Sequence, residues 1–394
     1  MRLLVLTFYF RPDLSAGSFR ASTLVDALLE SLPEGGSIDV ITTAPNRYSS
    51  YTQEVAPVEA RGPLTIRRIA LPAHRSDLWG QSRAFLRFAR CANRHAAYAD
   101  YDIVFATSSR LMTAALGAWI ARRAGARLYL DVRDIFVDTI GDIFNRIGGL
   151  LRRPLSALER WTMRRADRIN LVSRGFESYF KSRYPDRSYR WFTNGIDEEF
   201  LRTDWSNKKV RDPHQPLLVI YAGNIGEGQG LHAVLPQLAL RLGGRVQFRV
   251  IGDGGRRELL LDLLRKTGVQ NVEVLPPMPR PALLEAYSVA DILFLHLNAH
   301  AAFEKVLPSK IFEYAATGKP IWAGVAGYAA RFIEAEVPNA AVFVPCNVSQ
   351  AIEKLDGLNL QDAPRRKFVE QFARRNVARA MANDIWDLAR TNPR

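Results

Sequence analysis

Residues 217–231 read LLVIYAGNIGEGQGL, and the order of residue types in this stretch decides the fold. Residues 217–222 are uncharged and rich in Leu, Val, Ile and Tyr, which suits a strand buried on both faces. Gly223-Asn224-Ile225-Gly226-Glu227-Gly228-Gln229-Gly230 then places four glycines in eight residues, and a helical pattern opens at Leu231. Glycines let a backbone approach a phosphate closely, and a helix start adds partial positive charge. Gly223, Asn224, Gly226, Gln229 and Gly230 therefore read as a phosphate cradle at the end of a parallel strand. A glycine turn that serves packing alone is the plain alternative.

Outward from this stretch, strand-like runs alternate with helical patterns along the whole chain. The second half has runs at 246–251, 272–275, 291–297, 320–322 and 341–344; the first half has them at 3–10, 37–43, 66–70, 103–106, 128–132 and 169–172. A polar stretch, 202–216, separates the two series. Strands separated by helices imply parallel sheets covered on both faces. The class is α/β, with two successive doubly wound domains, 1–204 and 205–367, and a helical segment 368–394 after them.

Ligands gather beyond the carboxyl ends of parallel strands, so the loops that follow the strands are the candidate sites. Gly252-Asp253-Gly254-Gly255 follows one strand, with Arg256 and Arg257 opening the next helix. Residues 297–318, LNAHAAFEKVLPSKIFEYAATG, place Ser309 and Lys310 at a helix start and Glu313 one turn later. This cation and carboxylate can hold a diphosphate and a ribose diol together; an ordinary intrahelical ion pair is the plain alternative. In the first half, Gly17 lies in Ser15-Ala16-Gly17-Ser18 before a helix, and the strand ending at Val132 leads into Arg133 and Asp134. Arg133 suits a phosphate and Asp134 could orient it; a buried structural ion pair of the two is the alternative.

The chain of 394 residues carries a formal charge of +14, with 54 basic against 40 acidic residues. Such an excess attracts polyanions: nucleic acid, an anionic membrane or phosphorylated small molecules. Its densest part is 144–190, where twelve basic residues face four acidic ones and Trp161 sits among leucines. Upstream, Arg83, Arg87 and Arg90 recur at helical spacing close to Trp79. Basic amphipathic helices with tryptophan suit an anionic membrane surface, and Trp79, Arg83, Arg87, Arg90, Arg152, Arg153 and Trp161 are the membrane or acceptor candidates. Solvated arginine faces over core stripes are the plain alternative. No zinc-finger spacing, RNA-recognition signature or basic tail speaks for nucleic acid. The longest apolar runs are strand-sized, well under the roughly 18 residues of a membrane span. Two cysteines, Cys91 and Cys346, are compatible with a reducing cytoplasm and form no disulfide framework. Six scattered histidines, His300 among them, outline no metal site, and no Ser-His-Asp arrangement stands out.

Asn194-Gly195-Ile196-Asp197, YAGNIGEGQGL from Tyr221, IGDG from Ile251 and PSKIFEYAATGKP from Pro308 together resemble glycosyltransferase family 4. YFRPDLSAGSFRASTLVDAL from Tyr9 and LDVRDIF from Leu130 match as well, so the resemblance spans nearly the whole chain. It is closest to bacterial O-antigen and capsule enzymes of the N-acetyl-fucosamine transferase type. The resemblance implies a retaining enzyme of the GT-B fold, two Rossmann-like domains facing a central cleft. It also implies a nucleotide-diphosphate sugar donor, UDP-linked, on the domain 205–367, and a polyprenyl-diphosphate-linked saccharide acceptor on the membrane-facing domain 1–204 at the cytoplasmic face of the inner membrane. Glu313 would then bind the ribose hydroxyls, loop 223–230 the diphosphate, and the main chain from Pro277 to Arg280 would border the base. Transfer would proceed by front-side attack without a metal or other cofactor, and the C-terminal helix would cross back to the first domain.

The sequence departs from the family at two places. Lys305 stands where many members have a second glutamate, and Asn224 and Gln229 replace the arginine and lysine of the first loop. Lys310, Lys305 or Arg256 must then supply the missing charge, Lys310 first. Two further readings stay open on the sequence: a nucleotide-sugar epimerase of the same fold, acting on UDP-N-acetylhexosamine without an acceptor, and a scaffold that binds donor without transfer.

Overall fold

A computed structural model describes residues 1–13, 15–45, 55–71, 78–108, 111–135, 137, 147–205, 212 and 214–391; within it, the side chains of 78, 79 and 147–151 are not described. The chain divides into two compact units, Met1–Asn194 with Arg374–Arg394, and Gly195–Ala373. The division thus falls at Asn194 and Ala373 rather than after residues 204 and 367. Residues 195–204 join the second unit, and the helix Arg366–Phe372 stays with it through Phe368 and Phe372 in its core. Only the last helix, Arg374–Arg390, returns to the first unit.

The first unit holds eight strands: β1 (Arg2–Leu6), β2 (Ser37–Thr43), β3 (Val58–Arg61), β4 (Leu64–Ile69), β5 (Ile103–Thr107), β6 (Arg127–Val132), β7 (Arg168–Leu171) and β8 (Tyr189–Arg190). Their order in the sheet is β3-β4-β2-β1-β5-β6-β7-β8, and every pair is parallel except β3 with β4. Side chains alternate across a strand, so Leu3 and Val5 pack on one face with Leu24 and Leu28 of the helix Ala16–Glu30 and with Met381, Ile385 and Trp386 of the last helix. Asp384 fixes that last helix, accepting from Arg168 (2.7 Å), Arg190 (2.9 Å) and the Tyr129 hydroxyl (3.0 Å). Helices Leu78–Ala96 and Leu111–Ala124 lie against β4 and against β5 and β6, and Ile147–Arg165 packs beside the second of them.

The second unit is a six-stranded, wholly parallel sheet: β9 (Leu217–Asn224), β10 (Val246–Asp253), β11 (Val272–Leu275), β12 (Ile292–His296), β13 (Ile321–Gly324) and β14 (Ala340–Phe343), in the order β11-β10-β9-β12-β13-β14. Along β9, Val219 and Tyr221 belong to one core and Ile220 and Ala222 to the other, so both faces are covered. All twelve strands read from the sequence are present. The two additions, β3 and β8, are short edge strands with little apolar signal.

Candidate active site

The order of the second sheet reverses direction between β9 and β12, its two central strands. Loops leaving adjacent strands at such a point diverge and open a crevice at their carboxyl ends. The glycine loop leaves β9, and the segment carrying Ser309, Lys310 and Glu313 follows β12. Sequence positions 90 apart are thereby delivered to one edge. The Tyr314 hydroxyl accepts the Ala222 N–H (3.1 Å) and ties the helix Lys310–Ala316 to β9.

Glu313 is buried, and its two oxygens take different cations: Lys310 Nζ at 2.6 Å and Arg280 Nη1 at 3.3 Å. Arg280, from the start of the helix Arg280–Val289, also donates to buried Asp197 and lies 5.0 Å over the Phe200 ring. Burial pushes the Glu313 carboxyl up, but Lys310 and Arg280 outweigh it and hold the group below the usual carboxylate range. Burial likewise works against the Lys310 ammonium, and Glu313 reverses the effect, raising it. The cluster is ionised throughout and electrically balanced. Each Glu313 oxygen keeps acceptor capacity for a hydroxyl pair, and the ammonium, directed at Glu313 and weakly at the Tyr287 hydroxyl (3.4 Å), keeps a donor.

The glycine loop is held from within. Asn224 Nδ2 donates to Gln229 Oε1 (2.8 Å) across Gly226, and Gly230, with φ of 61°, turns the chain into the helix Leu231–Leu242. Gly223 pairs with Gly252 of β10 so closely that a side chain on Gly252 would overlap the Gly223 carbonyl oxygen. Buried His296, at the end of β12, orients the Gln229 carbonyl through Nδ1 (2.7 Å) while its Nε2 accepts the Cys346 N–H (3.0 Å), which sets the tautomer. Burial lowers His296 to about 4, so it is neutral. Glu227 gathers Arg256 (2.5 Å), His232 (3.9 Å), His300 (3.7 Å) and Asn298 Nδ2 (3.2 Å). Burial raises this carboxyl and Arg256 more than compensates, so it titrates low.

In the first unit, Ser15 caps the helix Ala16–Glu30 by accepting the Ser18 N–H (3.1 Å). Gly17 therefore sits inside the first turn rather than before it. The Arg133 guanidinium fills the space beside Gly17, with Nη1 2.7 Å from where a Cβ would be, so the structure brings these two residues together. The Ser18 Oγ, in the same turn, is buried without a hydrogen-bond partner among the described residues. Arg133 and Asp134 form no salt bridge among the described residues, and Asp134 is exposed. The buried ion pair here is instead Arg20 with Asp131, joined by two bonds of 2.8 and 2.9 Å and backed by Asn170 (2.7 Å).

A family model described as a glycosyl transferase 4-like domain matches residues 21–194, and one described as glycosyl transferases group 1 matches residues 203–375. The chain belongs to these glycosyl transferases. A protein of Escherichia coli (strain K12) bearing the name colanic acid biosynthesis glycosyl transferase WcaI is 24% identical over 209 residues. That alignment takes in 50% of this chain and 51% of the relative, so the match spans about half of the relative's length. Three solved structures share the fold: sucrose-phosphate synthase from Thermosynechococcus elongatus (TM-score 0.72, 13% identity, 98% of this chain and 99% of the other), WaaG, a glycosyltransferase involved in lipopolysaccharide biosynthesis (0.64, 13%, 100% and 96%), and Anabaena Alr3699/HepE in complex with UDP-glucose (0.65, 15%, 98% and 100%). The architecture of this glycosyl transferase is thus GT-B, with two Rossmann-like domains.

Several side chains of the candidate site escape a reading by motif. Arg280 and Asp197 were expected to offer only main chain or a motif letter, yet their side chains complete the charge balance of Glu313. Glu227 lies within the glycine loop without its charge role being visible there, and His296, four residues before His300, is the histidine that positions the loop. Lys305 ends the short 3-10 turn Ala301–Lys305, Ser309 takes the N-cap position without capping through its side chain, and Pro277 is exposed just before the helix Arg280–Val289. In the first unit Arg83, Arg87, Arg90, Arg152 and Arg153 are exposed and Trp161 is half-buried; the side chain of Trp79 lies outside the described residues.

Proposed function

We propose that this glycosyl transferase moves a sugar from a UDP-sugar to a lipid-linked saccharide, with retention of anomeric configuration, during assembly of a bacterial surface polysaccharide at the cytoplasmic face of the inner membrane. The observation that carries the reading is the ionised Glu313, balanced by Lys310 and Arg280, beside a glycine loop at the point where the strand order reverses. Support comes also from the UDP-glucose complex of a protein of the same fold, and from the polysaccharide and lipopolysaccharide names of WcaI and WaaG.

In this reading the spare acceptor sites of Glu313 take the ribose hydroxyls. The N–H groups of loop 223–230 and of the following helix face the diphosphate, and main chain near Pro277 borders the base. The bond from the anomeric carbon to the diphosphate oxygen breaks while a bond to the acceptor hydroxyl forms on the same face, and the hydroxyl proton passes to the departing diphosphate. Charge develops on that diphosphate, so prearranged donors accelerate the step. Arg256 and Lys310 are those donors; neither Asn224 nor Gln229 adds charge. Arg133, beside Gly17 in the first unit, is suited to a phosphate of the acceptor. The reading assigns no role to a metal, and full activity in a chelator is the expected result. Calorimetric titration with UDP-sugars tests the donor assignment: micromolar binding by the wild type that Glu313→Gln abolishes is expected, and equal binding by both proteins refutes it.

A further inference from the structure

We propose that Glu227 is a built-in competitor of the donor's diphosphate: it holds Arg256, the cation that the diphosphate takes over on binding, and reclaims it after transfer so that UDP leaves. The inference rests on the UDP-sugar reading of this site and names the residue that limits how tightly UDP is held. It starts from a contradiction in loop 223–230. The loop suits an anion, yet its single charged side chain is a carboxylate. Its other side chains are engaged: Asn224 and Gln229 bond to each other (2.8 Å), and Ile225 is buried. Glycines seat Glu227 against the segment after β12, since a Cβ on Gly228 would strike the Phe303 ring and one on Gly230 the Asn298 side chain. The backbone of Glu227 is fixed as well, its carbonyl accepting from Asn298 Nδ2 (2.9 Å).

Around the carboxylate stand groups from three elements. Arg256, at the N-cap of the helix Arg257–Thr267, reaches Oε2 at 2.5 Å, and His232, in the first turn of the helix Leu231–Leu242, lies 3.9 Å from the same oxygen. Asn298 Nδ2 (3.2 Å) and His300 Nε2 (3.7 Å) face Oε1 from the segment after β12. Neither Arg256 nor either histidine has another acidic partner among the described residues. Two of the ring nitrogens, His232 Nδ1 and His300 Nε2, are buried without a hydrogen-bond partner among the described residues. Such a surround suits an anion with more acceptor oxygens than one carboxylate offers, and a diphosphate has them. Exposure decides which anion keeps Arg256. The Arg256 and Glu227 side chains are 46% and 29% exposed, and an ion pair open to water holds weakly. A diphosphate carries more charge and meets the guanidinium fork with two oxygens at once, so it displaces the carboxylate. Because the Glu227 backbone is fixed, the displaced carboxylate stays close by and competes for Arg256 again once the sugar has been transferred.

Calorimetric titration of the full-length protein with UDP tests the proposal. Glu227→Gln keeps the shape of the side chain and an acceptor for Asn298 but gives up the charge, so it should bind UDP roughly 10-fold more tightly than the wild type. A residue that merely positioned Arg256 would lose affinity on the same substitution. Arg256→Gln supplies the second arm of a double-mutant cycle: in its background most of the gain from Glu227→Gln should vanish, because no guanidinium is left to release. A crystal structure of the wild type with UDP gives a reading that depends on no variant. There the Arg256 guanidinium should meet a phosphate oxygen and stand apart from Glu227. Equal or weaker UDP binding by Glu227→Gln, a gain that persists undiminished without Arg256, or an intact Arg256–Glu227 pair beside bound UDP would each overturn the proposal. Binding of UDP that Glu313→Gln abolishes and Glu227→Gln does not strengthen removes the competitor and leaves the donor reading standing. A wild type that binds no UDP removes both.

Discussion

The Glu313 cluster of the second unit and the arginine face of the first handle charge in opposite ways. At the strand ends of the second unit, the charges of Lys310, Arg280, Glu313 and Asp197 are buried or half-buried and balance one another. On the first unit, arginines stand at the surface with no counterpart on their own helices. The difference follows from solvation: removing an ion from water is expensive unless an opposite charge and hydrogen bonds replace the water, while an exposed guanidinium keeps its hydration. The first arrangement recognises a ligand by exchanging short, directional bonds and is insensitive to salt. The second acts at a distance and weakens as salt rises.

Removal of one buried partner should separate the two regions most sharply. Glu313→Ala leaves Lys310 and Arg280 with a single carboxylate, so it should lower stability by about 3–5 kcal/mol and transfer by at least roughly 100-fold, with binding to anionic vesicles unchanged. Chemical denaturation and a transfer assay measure both effects. Acidification comes next. His296 falls from 6.5 to about 4 in the folded chain, so between those values the unfolded chain holds more protons and stability declines as pH falls, by about 3 kcal/mol once below 4. His296→Gln should flatten that decline in urea melts taken at stepwise pH. Glu313 and Glu227 titrate low, so their contribution is complete above 4.5 and disappears at more acid pH than that of His296. Arg256→Gln, which removes the exposed cation nearest the glycine loop, should raise the KM for the UDP-sugar roughly 10-fold with little change in melting. Least affected should be Arg202→Gln, which removes an exposed pair with Glu198 (3.0 Å) one helical turn away and should shift stability by under about 0.5 kcal/mol in the same urea melts.

Most of the strands were legible because a buried parallel strand is a short, unbroken apolar run, as at 217–222 and 292–296. Edge strands were not: β3 has one half-buried residue in four, the rest being exposed, and β8 has two residues in all. The pair Lys310 and Glu313 was legible since three residues apart on a helix are neighbours. Their partners, Arg280 and Asp197, come from distant segments and leave no local pattern. A local reading also linked Arg133 to Asp134, whereas Asp131, two residues earlier, forms the ion pair, and its partner is Arg20. Asp131 lies in β6 and meets Arg20 of the helix Ala16–Glu30, a partner 111 positions away that no local pattern announces.

Taken alone, the sequence determined the α/β class, the two series of strands, the glycine loop, the helix start at Lys310 and the excess of arginine. These are properties of periodicity and composition within a few residues. Tertiary structure decided which charges are balanced and which are not. Glu159 counts as an acid in the sequence yet faces inward onto two tyrosines, and Glu227 counts as a loop residue yet holds Arg256 and stands beside two histidines. The physical reason is that a charge acts through its distance to others and its distance from water, and both are set by the packing of segments far apart in the chain.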